Sequence, residues 1–454
     1  MGGKNHRADN CVMPEVAGAT PARQVWTSQR AYIIASVAMV VGLGNLWRFP
    51  YMVGENGGGS FVMAYAICIF LIGVPLYVLE TAAGKLYRKG AIGVFGCLNA
   101  RWGIWFGRFL IVLLVVMMSY YLVVSGWTLG YALDAVRFEV KPFENFTDGY
   151  ASLVLMLAVA FLTFLVLLRG IAGLERTSKI LLPVLVAIVA AMAIYAQTLP
   201  GAREARQFYL GFNLSGLMDA GVWRMAASQA FYSLGVGQGI LFAYGSYAPR
   251  HFNQITSSAL IALTNSTVSI LAGFMIFPIV FTFGISPDAG SQLSFIAFPR
   301  IMDMLPAGQV IGIMFYLLLF VAAFTSCVGG MAAVVGAVRD EYKLSAKKSA
   351  LAVMVVTALL AVPSALSFTS LEWTVAGRPV LEAVDRLTGS GAVIVAGIAG
   401  ASLLSWLTPT ESLSGAIYPA GKNRFVLLAA RWIAYMGRWL PAAAVLLLVF
   451  SWLS

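Results

Sequence analysis

Charge is what this chain has least of. Only 11% of its 454 residues are Asp, Glu, Lys or Arg, 60% are hydrophobic, and the mean hydropathy is +0.84. No Pro/Ser-rich linker and no long polar block sets off a soluble domain. The chain is therefore read as one polytopic membrane domain, 29–454, behind a polar tail, 1–28. Histidine is nearly absent: His6 and His251 alone argue against a histidine-built metal site. The four cysteines (Cys11, Cys68, Cys97, Cys327) fall in the tail and in or beside apolar spans. They supply neither a loop pair for a disulfide nor metal-ligand spacing. The tail lacks the basic-then-apolar layout of a signal peptide and is expected to be cytoplasmic. A formal charge of +11 raises the question of nucleic acid, but the basic residues sit in short clusters between apolar spans, the positive-inside pattern. No nucleophile–base pair or metal motif appears, so no enzyme is expected.

What is present is a series of apolar stretches long enough to cross a bilayer. Eleven are expected, near 31–53, 60–84, 104–136, 150–168, 179–197, 222–247, 252–284, 310–338, 350–366, 380–406 and 425–453. With the N-terminus inside, most of the 30 Lys and Arg fall on the inner side. The first and sixth stretches are interrupted. The first carries Gly42-Leu-Gly-Asn45, then Arg48 and Pro50; the sixth carries Ser233-Leu-Gly-Val-Gly-Gln-Gly239. Glycine costs about 1 kcal/mol in a helix interior and proline about 3, and a mid-membrane arginine at least about 2.5. Broken backbone at that depth is tolerated where it is buried in protein or lines a cavity. Paired discontinuous helices five spans apart point to a transporter with two opposed five-helix halves, 30–198 and 222–408, and a last helix at 425–453.

Such breaks free backbone N–H groups for an anion and carbonyls for a cation. The side-chain oxygens available near them are neutral, those of Asn45, Ser233, Asn265, Thr325 and Ser326, and suit Na⁺ better than Ca²⁺. Each has a plainer reading. The glycines could be helix contacts, Thr325 and Ser326 could bond to the preceding turn, and Asn265 could merely join helices. Arg48 has no comfortable alternative of this kind.

The residues Gly42-Leu-Gly-Asn-Leu-Trp-Arg-Phe-Pro-Tyr51, followed by Glu55-Asn-Gly-Gly-Gly59, resemble the first-helix signature of the neurotransmitter:sodium symporters. The likeness extends to Tyr120-Tyr121 with Ser125-Gly-Trp-Thr-Leu-Gly130, Gln229-Ala-Phe-Tyr-Ser-Leu-Gly235, Tyr244-Gly-Ser-Tyr247, Asn265 and Ala322-Ala-Phe-Thr-Ser326. It implies an all-α integral membrane fold of the leucine-transporter type. Two inverted five-helix repeats precede an eleventh helix, and helices 1 and 6 are unwound.

By position, the resemblance implies a first sodium site of the Val40 carbonyl, Asn45, Ser233, Asn265 and the substrate carboxylate. A second would use the carbonyls of Ala38, Val41 and Ala322 with the hydroxyls of Thr325 and Ser326. The carboxylate would meet the Leu43 and Gly44 amides and the Tyr121 hydroxyl. Gly42, where amine carriers have an aspartate, leaves room for that carboxylate and implies an amino-acid cargo. The rest of the substrate pocket is expected at Val40, Met117, Tyr232, Ser233 and Ser326. Gly235, Gln238 and Gly330 suggest a side chain larger or more polar than leucine. Tyr65, Gln229, Ser233, Asn265 and Ser269 match a chloride cradle. Arg48 with Asp385, and Arg23 with Asp340 beside Tyr247, match the two gates. The implied function is Na⁺-coupled, Cl⁻-dependent amino-acid symport by alternating access across a prokaryotic inner membrane. A monomer suffices for it. A carrier of a betaine-like solute, or a non-transporting amino-acid sensor, is the alternative.

Overall fold

A computed structural model describes residues 24–211, 214–287, 295, 298, 301–419 and 423–443. Helix starts follow the capping side chains in the sequence. Ser28 accepts from the Ala31 amide to open α1, Asp219 from Gly221 to open α6, Asn253 from Thr256 to open α7, and Asn423 from Phe425 and Val426 to open α11. In chain order, α1 is Gln29–Val40 with Gly44–Glu55, α2 Gly59–Tyr87, α3 Trp102–Arg137, α4 Ala151–Leu167 and α5 Gly170–Ala196. The second half is α6, Ala220–Leu234 with Ile240–Ser246, then α7 Gln254–Thr282, α8 Gly308–Tyr342, α9 Ala346–Ala365, α10 Val380–Leu407 and α11 Arg424–Met436.

Among the described residues, seven helices are long and apolar enough to span a bilayer unaided, and the bent pair forming α1 makes an eighth. The eleven expected include α4, which is shorter, α6, which is split, and α11, whose expected stretch continues beyond the described residues. The expected inner tail lies almost wholly outside them, as does much of the connector at 285–306. Three features went unexpected: π-helical turns at Ile69–Gly73 and Arg386–Ala392, short helices such as Ala202–Leu210 and Thr410–Ile417, and a hairpin of β1 Thr374–Val375 with β2 Arg378–Pro379.

The two broken helices sit inside the bundle. In α1 the chain turns extended at Val41 and resumes as a π turn, Gly44–Arg48, with the halves bent by 51°. Asn45 sustains the break locally: its side-chain oxygen accepts the Gly42 N–H at 3.1 Å, a bond that competes with helix continuation. Pro50 stands at the start of the α-helical segment Phe49–Glu55 that follows the π turn, a position that suits proline. The end half of α6, Ile240–Ser246, lies backbone against backbone on α2. A Cβ on Gly245 would come within 2.7 Å of the Thr81 carbonyl carbon, and one on Gly84 within 2.8 Å of that of Phe242. The outward faces of α4 and α9 expose apolar side chains such as Phe161, Val355 and Leu359, as lipid contact requires.

Candidate functional site

The break of α1 is surrounded by a polar centre that is almost completely buried. Asn45, Gln229, Asn265 and Ser269 are each 0% exposed. The Asn45 amide donates to the Asn265 side-chain oxygen at 2.8 Å, to the Asn265 carbonyl at 3.1 Å and to the Ser269 hydroxyl at 2.7 Å. Asn265 donates in turn to Ser233 at 3.3 Å and Tyr65 at 3.5 Å, whose hydroxyls lie 3.3 Å apart. Five of the sequence-identified residues, Asn45, Tyr65, Ser233, Asn265 and Ser269, thus converge from four helices. Gln229 is joined differently from the expectation. Its amide nitrogen donates to the Gly44 carbonyl at 2.8 Å, and its oxygen accepts Arg48 Nη1 at 2.5 Å. Both ends of the amide are engaged, with one N–H beyond the bond to Gly44.

Below the break is a cavity of ≈ 50 Å³. The α1 backbone at Val40, Gly42 and Gly44 forms one wall. The Leu43 amide donates to the Tyr121 hydroxyl at 3.1 Å. A Cβ on Gly42 would collide with the Ser326 hydroxyl and lie 2.7 Å from that of Tyr121, so glycine is what lets α3 and α8 approach. Met117 and Tyr121 line the cavity from α3, Tyr232, Ser233, Gly235 and Gln238 from α6, and Ser326 from α8. Gly330 does not line it: the Met118 thioether covers that glycine.

The hydroxyls of α8 divide their roles. Ser326 donates across to the Met39 carbonyl at 2.8 Å, drawing α8 onto the last turn of the first half of α1, where Ala38, Val40 and Val41 lie. Thr325 bonds back to the Val321 and Ala322 carbonyls, at 3.0 and 3.1 Å, within its own helix.

Four residues missed by sequence reasoning belong to the site. Met39, Met118 and Ile240 line the cavity, although in sequence they look like ordinary span residues. Glu80, 1% exposed in α2, accepts the Gly237 N–H at 2.9 Å and so holds the break of α6. A lone carboxylate in an apolar stretch was the signal that could have found it.

The sequence pattern of the sodium:neurotransmitter symporter family matches residues 23–150 and 140–451, nearly the whole chain. The chain belongs to this family. An uncharacterised sodium-dependent transporter of Methanocaldococcus jannaschii is 35% identical over 418 residues, covering 86% of this chain and 83% of that protein. A sodium- and chloride-dependent betaine transporter of Caenorhabditis elegans is 27% identical over 392 residues, 72% of this chain and 65% of that one. The crystal structure of MhsT in complex with L-phenylalanine matches with a TM-score of 0.84 at 30% identity, covering 95% of this chain and 100% of that chain. The protein is thus a sodium-dependent membrane transporter of the leucine-transporter-like fold, not an enzyme.

In this symporter two clusters of contacts flank the broken helices. At one end Arg48, 3% exposed, donates to Gln229 and, at 3.4 Å, to Ser228, with its guanidinium 4.7 Å from the centre of the Tyr232 ring. Tyr120 donates to Asp385 at 2.7 Å and lies 3.3 Å from the Tyr232 hydroxyl, so Arg48, Asp385 and the two tyrosines form one lid. At the other end Trp26 donates through its indole to the Tyr244 carbonyl at 3.0 Å and through its amide to the Tyr247 carbonyl at 3.1 Å. Glu175 accepts the Thr27 amide and hydroxyl at 2.8 and 2.7 Å. Arg23 lies outside the described residues; Asp340 sits in the last turn of α8. A neighbouring pair not foreseen, Arg108 with Glu341 at 2.5 Å, ties α3 to α8 at that end.

Proposed function

We propose that the protein couples the inward Na⁺ gradient to uptake of an amino acid, with chloride as co-ion, across a prokaryotic cytoplasmic membrane, N-terminus inside. The observation that carries this reading is the convergence of the neutral polar side chains of Asn45, Ser233 and Asn265 beside the broken backbone at Leu43 and Gly44, with no carboxylate among them. A monovalent cation there lacks a protein anion, and a substrate carboxylate supplies it. Coupling follows: the cargo completes the ion's shell, and the ion anchors the cargo. The first sodium would be held by Asn45, Ser233, Asn265 and the Val40 carbonyl. The second would lie between the α1 carbonyls of Ala38 and Val41 and, on α8, the Ala322 carbonyl with Thr325 and Ser326. The Thr325 hydroxyl donates its hydrogen to its own helix and would offer an oxygen lone pair to that shell.

Chloride would sit among Tyr65, Ser233, Asn265 and Ser269, offsetting the sodium charge in a low-dielectric setting. The Gln229 amide gives one N–H to the Gly44 carbonyl, and its second N–H is the one that would join that shell. Cargo enters past Arg48 and Asp385 and leaves past Trp26 and Tyr247, with Arg23 and Asp340 completing the inner closure. The likeness to MhsT with L-phenylalanine supports an amino acid. The betaine transporter among the relatives supports a second reading, a betaine-like cargo, since its carboxylate would meet the same groups. Reconstitution tests these together: labelled amino acids are offered to proteoliposomes under an inward Na⁺ gradient, with chloride or gluconate on both sides. Accumulation requiring both ions is expected, and Ser269→Glu should remove the chloride requirement. Accumulation with sodium alone overturns the chloride claim. Competition by betaine and not by amino acids selects the second reading, and binding without accumulation would leave a sensor.

A further inference from the structure

One wall of the cavity, the side chain of Met118, is built to move. Most of the lining is tied down. Tyr121 is held by the Leu43 amide, Ser326 by the Met39 carbonyl, and Tyr232 by the Arg48 lid. The long side chains without such ties are thioethers, with several rotatable bonds and no hydrogen bond to break.

Two of these thioethers meet glycines of α8 in different ways. A Cβ on Gly329 would lie 2.5 Å from Met39 Cγ and 2.8 Å from its Cβ, so the stem of Met39 is boxed in. A Cβ on Gly330 would instead lie 2.6 Å from Met118 Sδ and 3.2 Å from its Cε, so only the flexible tip of Met118 is met. Gly330 is therefore a berth for that tip. With the tip in the berth the side-chain compartment is at its widest; with the tip swung out it narrows.

We infer that Met118 is a movable wall whose retraction against Gly330 admits bulky apolar or aromatic side chains, while its return packs small ones. Met118 is a specificity-determining residue in this scheme, and the scheme rests on the amino-acid reading. A sulfur at that position also suits an aromatic cargo, since thioether–ring contacts are favourable.

Proteoliposome uptake of labelled alanine, valine, phenylalanine and tryptophan by wild type, Gly330→Ala, Met118→Ala and the double variant tests the scheme. Gly330→Ala fills the berth and pushes the tip into the compartment. The apparent affinity for phenylalanine and tryptophan should fall 5- to 150-fold, the equivalent of about 1–3 kcal/mol of overpacking, while alanine changes less than threefold. Adding Met118→Ala should restore the large substrates to within threefold of the Met118→Ala variant alone, a non-additivity that a folding defect would not produce. An equal loss for all four substrates in Gly330→Ala, or no restoration in the double variant, overturns the movable wall while leaving symport intact. A wild type that accumulates none of the four overturns the amino-acid reading, and this inference with it.

Discussion

The break of α6 offers a comparison in which two glycines share a backbone conformation but differ in surroundings. Gly235 and Gly237 have φ values of 70° and 77°, in the left-handed region. Alanine at either position meets the same conformational penalty, about 1–2 kcal/mol. The surroundings then separate them. The nearest atom to a Cβ on Gly235 is Met39 Sδ at 3.8 Å, ordinary contact. A Cβ on Gly237 would collide with the Val393 carbonyl oxygen and lie 2.7 Å from the Gly397 amide nitrogen, so the backbone of α10 must yield. Overpacking of that kind adds about 1–3 kcal/mol. Gly235→Ala should therefore cost about 1–2 kcal/mol and Gly237→Ala about 2–5 kcal/mol. At roughly 2 cal/mol/K of unfolding entropy per residue, 1 kcal/mol is worth about 1 °C in a chain of 454. Thermal melts of the purified variants in one detergent should show drops of about 1–2 °C and about 2–5 °C. Substrate binding should fail first in Gly237→Ala, because the same shift pulls its amide from Glu80. Equal melting shifts for the two, or a larger one for Gly235→Ala, would refute the contact between α6 and α10.

Tyr120→Phe removes the donor to Asp385, a bond to a charged group worth about 1.5–3 kcal/mol. Bound labelled substrate should then dissociate about tenfold faster or more, and an unchanged release rate would show that Tyr120 does not hold the lid. Glu175→Ala strips the acceptor from the Thr27 amide and hydroxyl, at about 1–3 kcal/mol. A limited-proteolysis time course should show faster cleavage ahead of α1. Gly245→Ala forces a methyl into the α2 backbone at Thr81 and should abolish uptake at normal expression, measured on proteoliposomes against protein content.

Much of this site could be read from the sequence because its chemistry conflicts with its setting. Glycines, an asparagine, an arginine and a proline inside one apolar stretch have few explanations, and Asn45 does turn back on the Gly42 amide that the break leaves free. The same conflict marked Asn265, while Ser269 and Tyr65 were named only through the family resemblance, and the fold gathers all three around it. Residues consistent with their setting stayed silent. Met39 and Met118 are what any buried helix carries, and their part depends on glycines about 200 or more positions away that only packing brings near. Gln229 was marked as a polar residue, but which partner its amide would choose depends on where Arg48 points. Thr325 bonds to its own helix here, as the plainer reading held, whereas Ser326 reaches across to α1. The π turns in α2 and α10 left no sequence trace beyond nearby proline and glycine.

The contact between α2 and the end half of α6 divides the molecule's capacity for change. Thr81 and Phe242 meet Gly245 and Gly84 through main-chain atoms, so any side chain added at either glycine meets backbone that no rotamer can clear. Beside the cavity the corresponding neighbour of Gly330 is the thioether of Met118, which yields by bond rotation, and Gln238 is a second flexible side chain on the lining. Divergence toward a new cargo is thus open to single substitutions at 118, 238 and 330, whereas the junction of α2 with α6 admits almost none. An engineer retargeting this carrier has a small library to screen and a frame to leave alone.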